Sequence, residues 1–245
     1  MLLNEPEIYT GISIRNIYDA LMKDALNKNN YPDGNIYGKD IISINDGIKD
    51  IHKGFFPEKE IISAMNDFEN LRANKKNRYI YERLVISHFA IETIHPFYDG
   101  NGRLGRFLFS LELYNETSSI FAFAISSTIR QNKSKYYKAF KGGRDVHEFG
   151  SIDIFVYQMM KILISGAENL LKTLELYKNR MESASDVAKN CKMTKSETKV
   201  ISLLAESQIF SNYGLSVKEI EKFGKIGRRT IFNTFSKIGR KKYQI

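Results

Sequence analysis

His95-Pro96-Phe97-Tyr98-Asp99-Gly100-Asn101-Gly102-Arg103-Leu104-Gly105-Arg106 is the stretch on which the reading of this 245-residue chain turns. A helix that starts at its glycines offers unpaired N–H groups and partial positive charge, and both attract phosphate. Gly100 and Gly102 lack a Cβ, so the backbone there can approach a ligand closely and adopt positive φ. Asn101 tolerates a left-handed conformation and can donate its amide to a phosphate oxygen. Arg103 and Arg106 stand three apart, as neighbours on one helical face, and helical side chains lean back toward the N-terminus. Their planar forks suit bidentate contact with phosphate. Asp99 is a hard oxygen ligand for Mg²⁺ bridging phosphates. His95, whose ordinary pKa is about 6.5, can take a proton from an alcohol near neutral pH. The chemistry implied is a grip on a nucleoside triphosphate with attack of a hydroxyl on the α-phosphate and departure of pyrophosphate. Each piece alone is commonplace, since His-Pro stops helices, Asp-Gly-Asn-Gly makes turns and paired arginines solvate. Their conjunction carries the reading.

Outward from this stretch the patterns are mostly helical. Tyr79–Ile94 puts Leu84, Val85, His88 and Ile91 on one side, and Pro96 ends that helix by pushing residue 95 out of the α region. His88 reads as a core histidine. A second helix runs from about Gly102 to Tyr114 with Leu104, Phe107, Leu108 and Leu111 as its apolar face. Ile14, Ile17, Tyr18, Leu21, Met22 and Leu26 recur at helical spacing, stopping near 27–34 where Asn, Pro, Asp and Gly cluster. Pro57 opens a helix carrying Ile61, Ile62, Met65 and Phe68. Further helices are expected over 133–140 and 152–178. The one β signal is Ile41-Ile42-Ser43-Ile44 and Ile48–Ile51 around Asn45-Asp46-Gly47, a short hairpin. The expected class is all-α with one hairpin.

The quoted stretch resembles the signature of the Fic family, His-Pro-Phe-x-(Asp/Glu)-Gly-Asn-Gly-Arg-x-x-Arg, at every fixed position. The similarity spans roughly residues 10–180, including Ser87–Ile94 and Ile129–Tyr137. It implies a Fic-type helical bundle and a protein adenylyltransferase, which moves AMP from ATP to a Tyr, Thr or Ser hydroxyl of a target protein or of itself. It assigns His95 as general base, Asp99 to Mg²⁺, the Gly100-Asn101-Gly102 turn to the anion hole, and Arg103 and Arg106 to the distal phosphates. Phe97 resembles the family's buried anchor. Gly102 stands where the related Doc-type kinases have lysine, which favours nucleotidyl transfer. Tyr136 and Tyr137 are placed in the nucleoside pocket by the resemblance, with core packing as the alternative. The hairpin, with Ile42, Ser43, Ile44 and Ile48, corresponds to a flap (about 41–52) that docks an extended target segment, with a plain structural hairpin as the other reading. The family's inhibitory Ser/Thr-x-x-x-Glu-Gly/Asn pattern has no full match. The aligned region also begins almost at Met1, leaving little room for an upstream inhibitory helix. Either a separate antitoxin-like protein or a segment of a longer form supplies the blocking glutamate, and Arg106 is expected unblocked in this chain alone.

Bulk composition narrows the setting. Hydrophobic content of 42% and charged content of 27% are ordinary for a globular chain. Cys191 is the single cysteine, so neither an internal disulfide nor a cysteine zinc site is available. No signal peptide is read at the start, and the apolar run Ile120–Ile125 is far too short to span a bilayer. The expectation is a cytoplasmic protein away from membranes. The net charge of +9 suits polyanions, or merely a lysine-rich solvated surface.

Domain organisation reads as a core over 1–178, a helical linker over 179–193 and a separate small unit over 194–245. Leu215–Phe235 in that unit resembles a (winged) helix-turn-helix, any wing being short or missing, with Gly224 in the turn and Val217, Ile220, Ile226, Ile231 and Phe235 inside. Arg228, Arg229, Lys237, Arg240, Lys241 and Lys242 form a basic cluster suited to DNA phosphates. Two alternatives stand beside DNA: a protein-docking module and a homodimer contact. The rival to the enzyme is accordingly a DNA-binding regulator with an idle core.

Overall fold

The computed structural model describes residues 11–27, 30–40, 43–45, 50–73, 79–144, 151–211 and 213–240. Among these the chain is almost entirely helical, with ten helices and one two-stranded pairing. It divides into two compact units between Glu168 and Asn169. That division falls inside a helix, ten residues before the boundary expected at 178. None of the described helices is long and apolar enough to cross a membrane.

The first unit is organised around two antiparallel-reading halves of the motif: α3 (Ile80–Ile94) leads into it and α4 (Asn101–Glu116) leads out. α3 is buried on more than one side, with Leu84, Val85, His88, Ile91 and Ile94 all covered. A helix apolar over so much of its girth belongs inside. Accordingly, α3 and α4 feed two cores. One joins Leu84, Phe109 and Leu113 to α5 (Ser119–Gln131), α6 (Lys133–Gly143) and the start of α7 (Asp153–Asn190). The other joins Ile91, Phe97, Leu104 and Leu108 to α1 (Gly11–Met22) and α2 (Glu58–Ala73). Arg72 of α2 pairs with Glu112 of α4 between these layers.

Several expectations shift. α1 stops at Met22, five residues before the Asn-Pro-Gly region, and Leu26 packs on the core from the turn that follows. α5 was not foreseen, although Ser118 caps it by accepting from Phe121 N, and Ala122, Ile125 and Ile129 keep helical spacing. Ser43–Asn45 (β1) and Asp50–Lys53 (β2) pair antiparallel, with Ser43 opposite Lys53 and an irregularity after Ile44. Ile41, Ile42, Asp46, Gly47 and Ile48 lie outside the described residues.

The second unit contains the rest of α7, then α8 (Lys195–Phe210), α9 (Val217–Gly224) and α10 (Arg228–Arg240). Thr194 with Glu197 and Ser216 with Glu219 form capping boxes that start α8 and α9. Val200, Ile220, Ile226 and Ile231 make its inner core, with Val217 and Phe235 packed on them. The turn residue differs from expectation. Gly224 closes α9, where an added Cβ would sit 2.9 Å from Ile226 Cδ1. Lys225 takes the left-handed conformation at φ 51°. After α8 no strand occurs among the described residues.

Candidate active site

Pro96 shapes the site twice. As expected it ends α3, but His95 before it adopts a left-handed conformation (φ 54°, ψ 59°) and not an extended one. Its N–H still reaches back to Ile91 O at 3.1 Å. The second effect concerns Glu92, whose carbonyl would accept from residue 96 in a continuing helix. Proline has no N–H to give. Glu92 O is instead met by His95 Nδ1 at 3.3 Å and by Arg144 Nη2 at 2.8 Å. A carbonyl can only accept, so this contact puts the imidazole proton on Nδ1 and the basic lone pair on Nε2.

The bend between the helices is braced from within. Phe97 is fully buried and stacks on Tyr18, ring centroids 3.7 Å apart. Tyr18 OH donates to Asp99 O at 2.9 Å. Burial first, and the Asp99 charge second, push the Tyr18 phenol up to about 12, so it stays a donor. Asp99 Oδ1 accepts from Gly100 N at 2.6 Å. Gly100, not Asn101, takes the left-handed turn, at φ 79°. Asn101 is buried, its Oδ1 accepting from Phe97 N at 3.0 Å and its Nδ2 donating to Phe97 O. Its side chain thus braces the loop, a task the sequence did not show, with one Nδ2 hydrogen given to Phe97 O.

Backbone donors remain at the start of α4. The amides of Arg103 and Leu104 both go to Gly100 O at 3.0 Å. Those of Asn101 and Gly102 meet no chain acceptor among the described residues. They form an anion-facing helix terminus. Arg106 folds back over it: a Cβ on Gly102 would lie 3.1 Å from Arg106 Nη1. Arg103 is exposed and acts electrostatically on Tyr18.

Residues 12–113 match the Fic/DOC family. This segment is similar to Fic domains. A search of curated proteins found no match. A crystal structure of a Fic family protein from Desulfovibrio desulfuricans G20 has the same fold, with a TM-score of 0.59 at 19% identity over 97% of this chain. The chain spans 64% of that protein's length.

Along the matched segment, His95 follows α3, Asp99 lies in the bend and Asn101 starts α4. Tyr136 is not part of an open pocket. It is buried in the core, its hydroxyl 2.9 Å from His88 Nε2. Tyr137 is exposed and meets Tyr136 edge-on at 5.4 Å. His88 is a core residue, its imidazole held down to about 3 by burial and then by the Arg106 charge. Ser43 and Ile44 lie on β1.

Six residues of this neighbourhood have partners that the sequence did not show. Tyr98 OH accepts the amides of Lys39 and Asp40 at 2.8 and 3.0 Å, tying the approach to β1 onto the motif. Past β2, Phe55 N donates to Ile94 O at 3.0 Å, and a Cβ on Gly54 would lie 3.1 Å from His95 Cβ. Glu92 is buried beside Arg106, and burial pushes its carboxyl up to about 7 against the pull of Arg106 and Arg144. Tyr18 and Arg144 complete the set. None carried a signal beyond an apolar face or a variable motif position.

Among the described residues no cluster of three or more His, Cys, Asp or Glu is gathered for a metal. One hard carboxylate beside free helix amides suits Mg²⁺ that arrives bound to a nucleotide, because Mg²⁺ is held by one or two carboxylates plus phosphates and water.

Proposed function

We propose that this protein is an adenylyltransferase that moves AMP from ATP to a Tyr, Thr or Ser hydroxyl of a protein. The observation that carries the proposal is the pairing of a tautomer-fixed His95 with the helix terminus at Asn101 and Gly102. The target hydroxyl attacks the α-phosphorus and its proton passes to His95 Nε2. The new O–P bond forms as the bond to the β-phosphate bridging oxygen breaks, and pyrophosphate leaves. The amides of Asn101 and Gly102 hold phosphate oxygens, while Arg103 and Arg106 hold the distal phosphates. Asp99 would hold Mg²⁺, which neutralises charge on the leaving pyrophosphate. Because Gly54 and Phe55 pack against His95 and Ile94, the strand pair ends beside the base. Main-chain pairing along β1 and β2, with Ser43 and Ile44, would lay an extended target segment there as a flap. A separate antitoxin-like protein supplying a glutamate to Arg106 is the fitting inhibitor.

The test is incubation with α-labelled ATP and Mg²⁺. Label is expected on the protein itself or on lysate proteins, and His95→Ala is expected to cut it about 10²–10⁴-fold while leaving ATP binding in place. Label that persists unchanged in His95→Ala, or γ-phosphate appearing on the target, overturns the assignment.

A further inference from the structure

Charge is divided unequally between the two units. Residues 169–245 hold 16 of the chain's 37 Lys and Arg and 7 of its 28 Asp and Glu, a net of +9, so residues 1–168 balance at zero. The unit that grips the triphosphate carries none of the excess. The whole of it sits on the unit built from α8, α9 and α10.

Within that unit the distribution is sharper still. α10 contains no acidic residue. Ile231 and Thr234 face inward, fully covered, with Phe235 half-buried beside them. The opposite side exposes Arg228, Arg229, Phe232 and Asn233. Arg228 lies over the Phe232 ring at 5.9 Å. Lys225 in the preceding turn and Lys218 and Lys222 on α9 are exposed as well. Of the basic residues read from sequence, Lys237 drops out, because its ammonium is taken by Glu197 at 2.7 Å. Lys241 and Lys242 lie outside the described residues. Of the acidic neighbours, Glu197 also caps α8 and Glu219 caps α9, while Glu221 on α9 is half-buried.

We propose that the exposed face of α10, with the turn at Lys225–Gly227, binds duplex DNA, α10 entering the major groove. A B-form major groove is about 12 Å wide and admits one helix. Arginine, asparagine and an apolar ring in sequence along that helix are the side chains that read guanine, adenine and the thymine methyl. The lysines of α9 and the turn then fall to phosphates. A-form RNA has a major groove too narrow for this. Single strands call for successive aromatic platforms, and this face has one ring, already under Arg228.

The test is fluorescence anisotropy of the full chain with a labelled duplex of about 30 bp, starting near 50 mM salt, where phosphate contacts are strongest. Binding that weakens with salt is expected. Arg228→Ala/Arg229→Ala should weaken it at least tenfold, and Lys218→Ala/Lys222→Ala should lower the salt slope by about 2, one phosphate contact for each lysine. Circular dichroism checks that both variants stay folded. Lys178→Ala, an exposed lysine of α7 paired loosely with Glu182 at 3.8 Å, should change nothing. His95→Ala should bind DNA as the parent does, which separates this proposal from the transfer reaction. No binding at low salt, equal or tighter binding of single strands or RNA, an unaffected double variant, or an equal loss in Lys178→Ala each overturns it.

Discussion

Tyr98 OH donates a 2.6 Å hydrogen bond to Asp33 Oδ1, across 65 positions of chain. That hydroxyl, first among the causes, holds the Asp33 carboxyl below its ordinary range. Tyr98 also packs so closely on Gly38 that a Cβ there would lie 2.8 Å from its Cζ. The residue at the motif's variable position therefore ties the segment entering β1, while Gly54 and Phe55 tie the segment leaving β2. Tyr98→Phe keeps the ring and removes the Asp40 amide's acceptor and one of the two that the Lys39 amide has, the other being Asp33 Oδ1 at 3.0 Å. Each such bond is worth about 0.5–1.5 kcal/mol, so exchange of those two amides should quicken a few-fold to about tenfold. ATP affinity should hold, and transfer to a protein should fall through KM. Hydrogen exchange of residues 36–45, set against ATP titration, measures both. Unchanged exchange would show that the clip lies elsewhere.

Gly100 is constrained on two counts. It sits at φ +79°, and a Cβ there would lie 2.5 Å from Met22 Cε and 2.7 Å from Met22 Sδ. Left-handed strain and overpacking each cost about 1–3 kcal/mol. Gly100→Ala should lose about 2–4 kcal/mol in denaturant unfolding followed by circular dichroism. Gly239→Ala is the comparison, at a helical position with nothing within 4 Å of an added Cβ. It should be neutral or gain up to about 1 kcal/mol.

What the sequence made legible follows from how local each signal is. α3 and α4 carry periodic apolar residues and a proline at the junction, so they read correctly from a dozen residues of context. The anion-facing turn reads for the same reason. α5 was missed because its apolar run Ile120–Ile125 hides the spacing of Ala122, Ile125 and Ile129. The bonds of the Asn101 amide to Phe97 were not legible, because a buried amide and an exposed one look alike in sequence. Glu92 and Tyr98 act through partners on other elements, Arg106 and Arg144 for one and Asp33 for the other. Only the fold brings those together.

Glu92 and His88 oppose stability from opposite ends of the pH scale. Burial raises Glu92 from its ordinary value near 4.5 to about 7 in the fold. Its contribution is intact below about pH 4.5 and is lost as pH rises to about 7, because only the unfolded chain releases the proton over that interval. Burial lowers His88 from 6.5 to about 3, so its contribution is lost as pH falls from about 6.5. A shift of this size at Glu92 amounts to about 3 kcal/mol. Glu92→Gln, compared with the parent between pH 5 and 8, should gain stability progressively toward pH 8, by up to that amount less the lost attraction to Arg106 and Arg144. A difference that stays flat across this range would mean Glu92 does not titrate there.

Gly105 explains how a carboxylate comes to lie so deep. A Cβ at Gly105 would run into Glu92 Oε1, and that oxygen has no hydrogen-bond partner among the described residues. The glycine one place before Arg106 thus makes room for the residue that faces Arg106 from the interior. Gly105→Ala should displace the Glu92 side chain and with it the guanidinium, weakening ATP binding as well as stability. In a background lacking that carboxylate the added methyl has space. The double variant Gly105→Ala/Glu92→Ala should therefore be more stable than the sum of the single effects by about 0.5–3 kcal/mol, the range for residues in direct contact. Unfolding of the four proteins closes the cycle, and ATP titration of the same four reports whether Arg106 moves with Glu92. Additive effects in both measurements would mean that Gly105 is not there for Glu92.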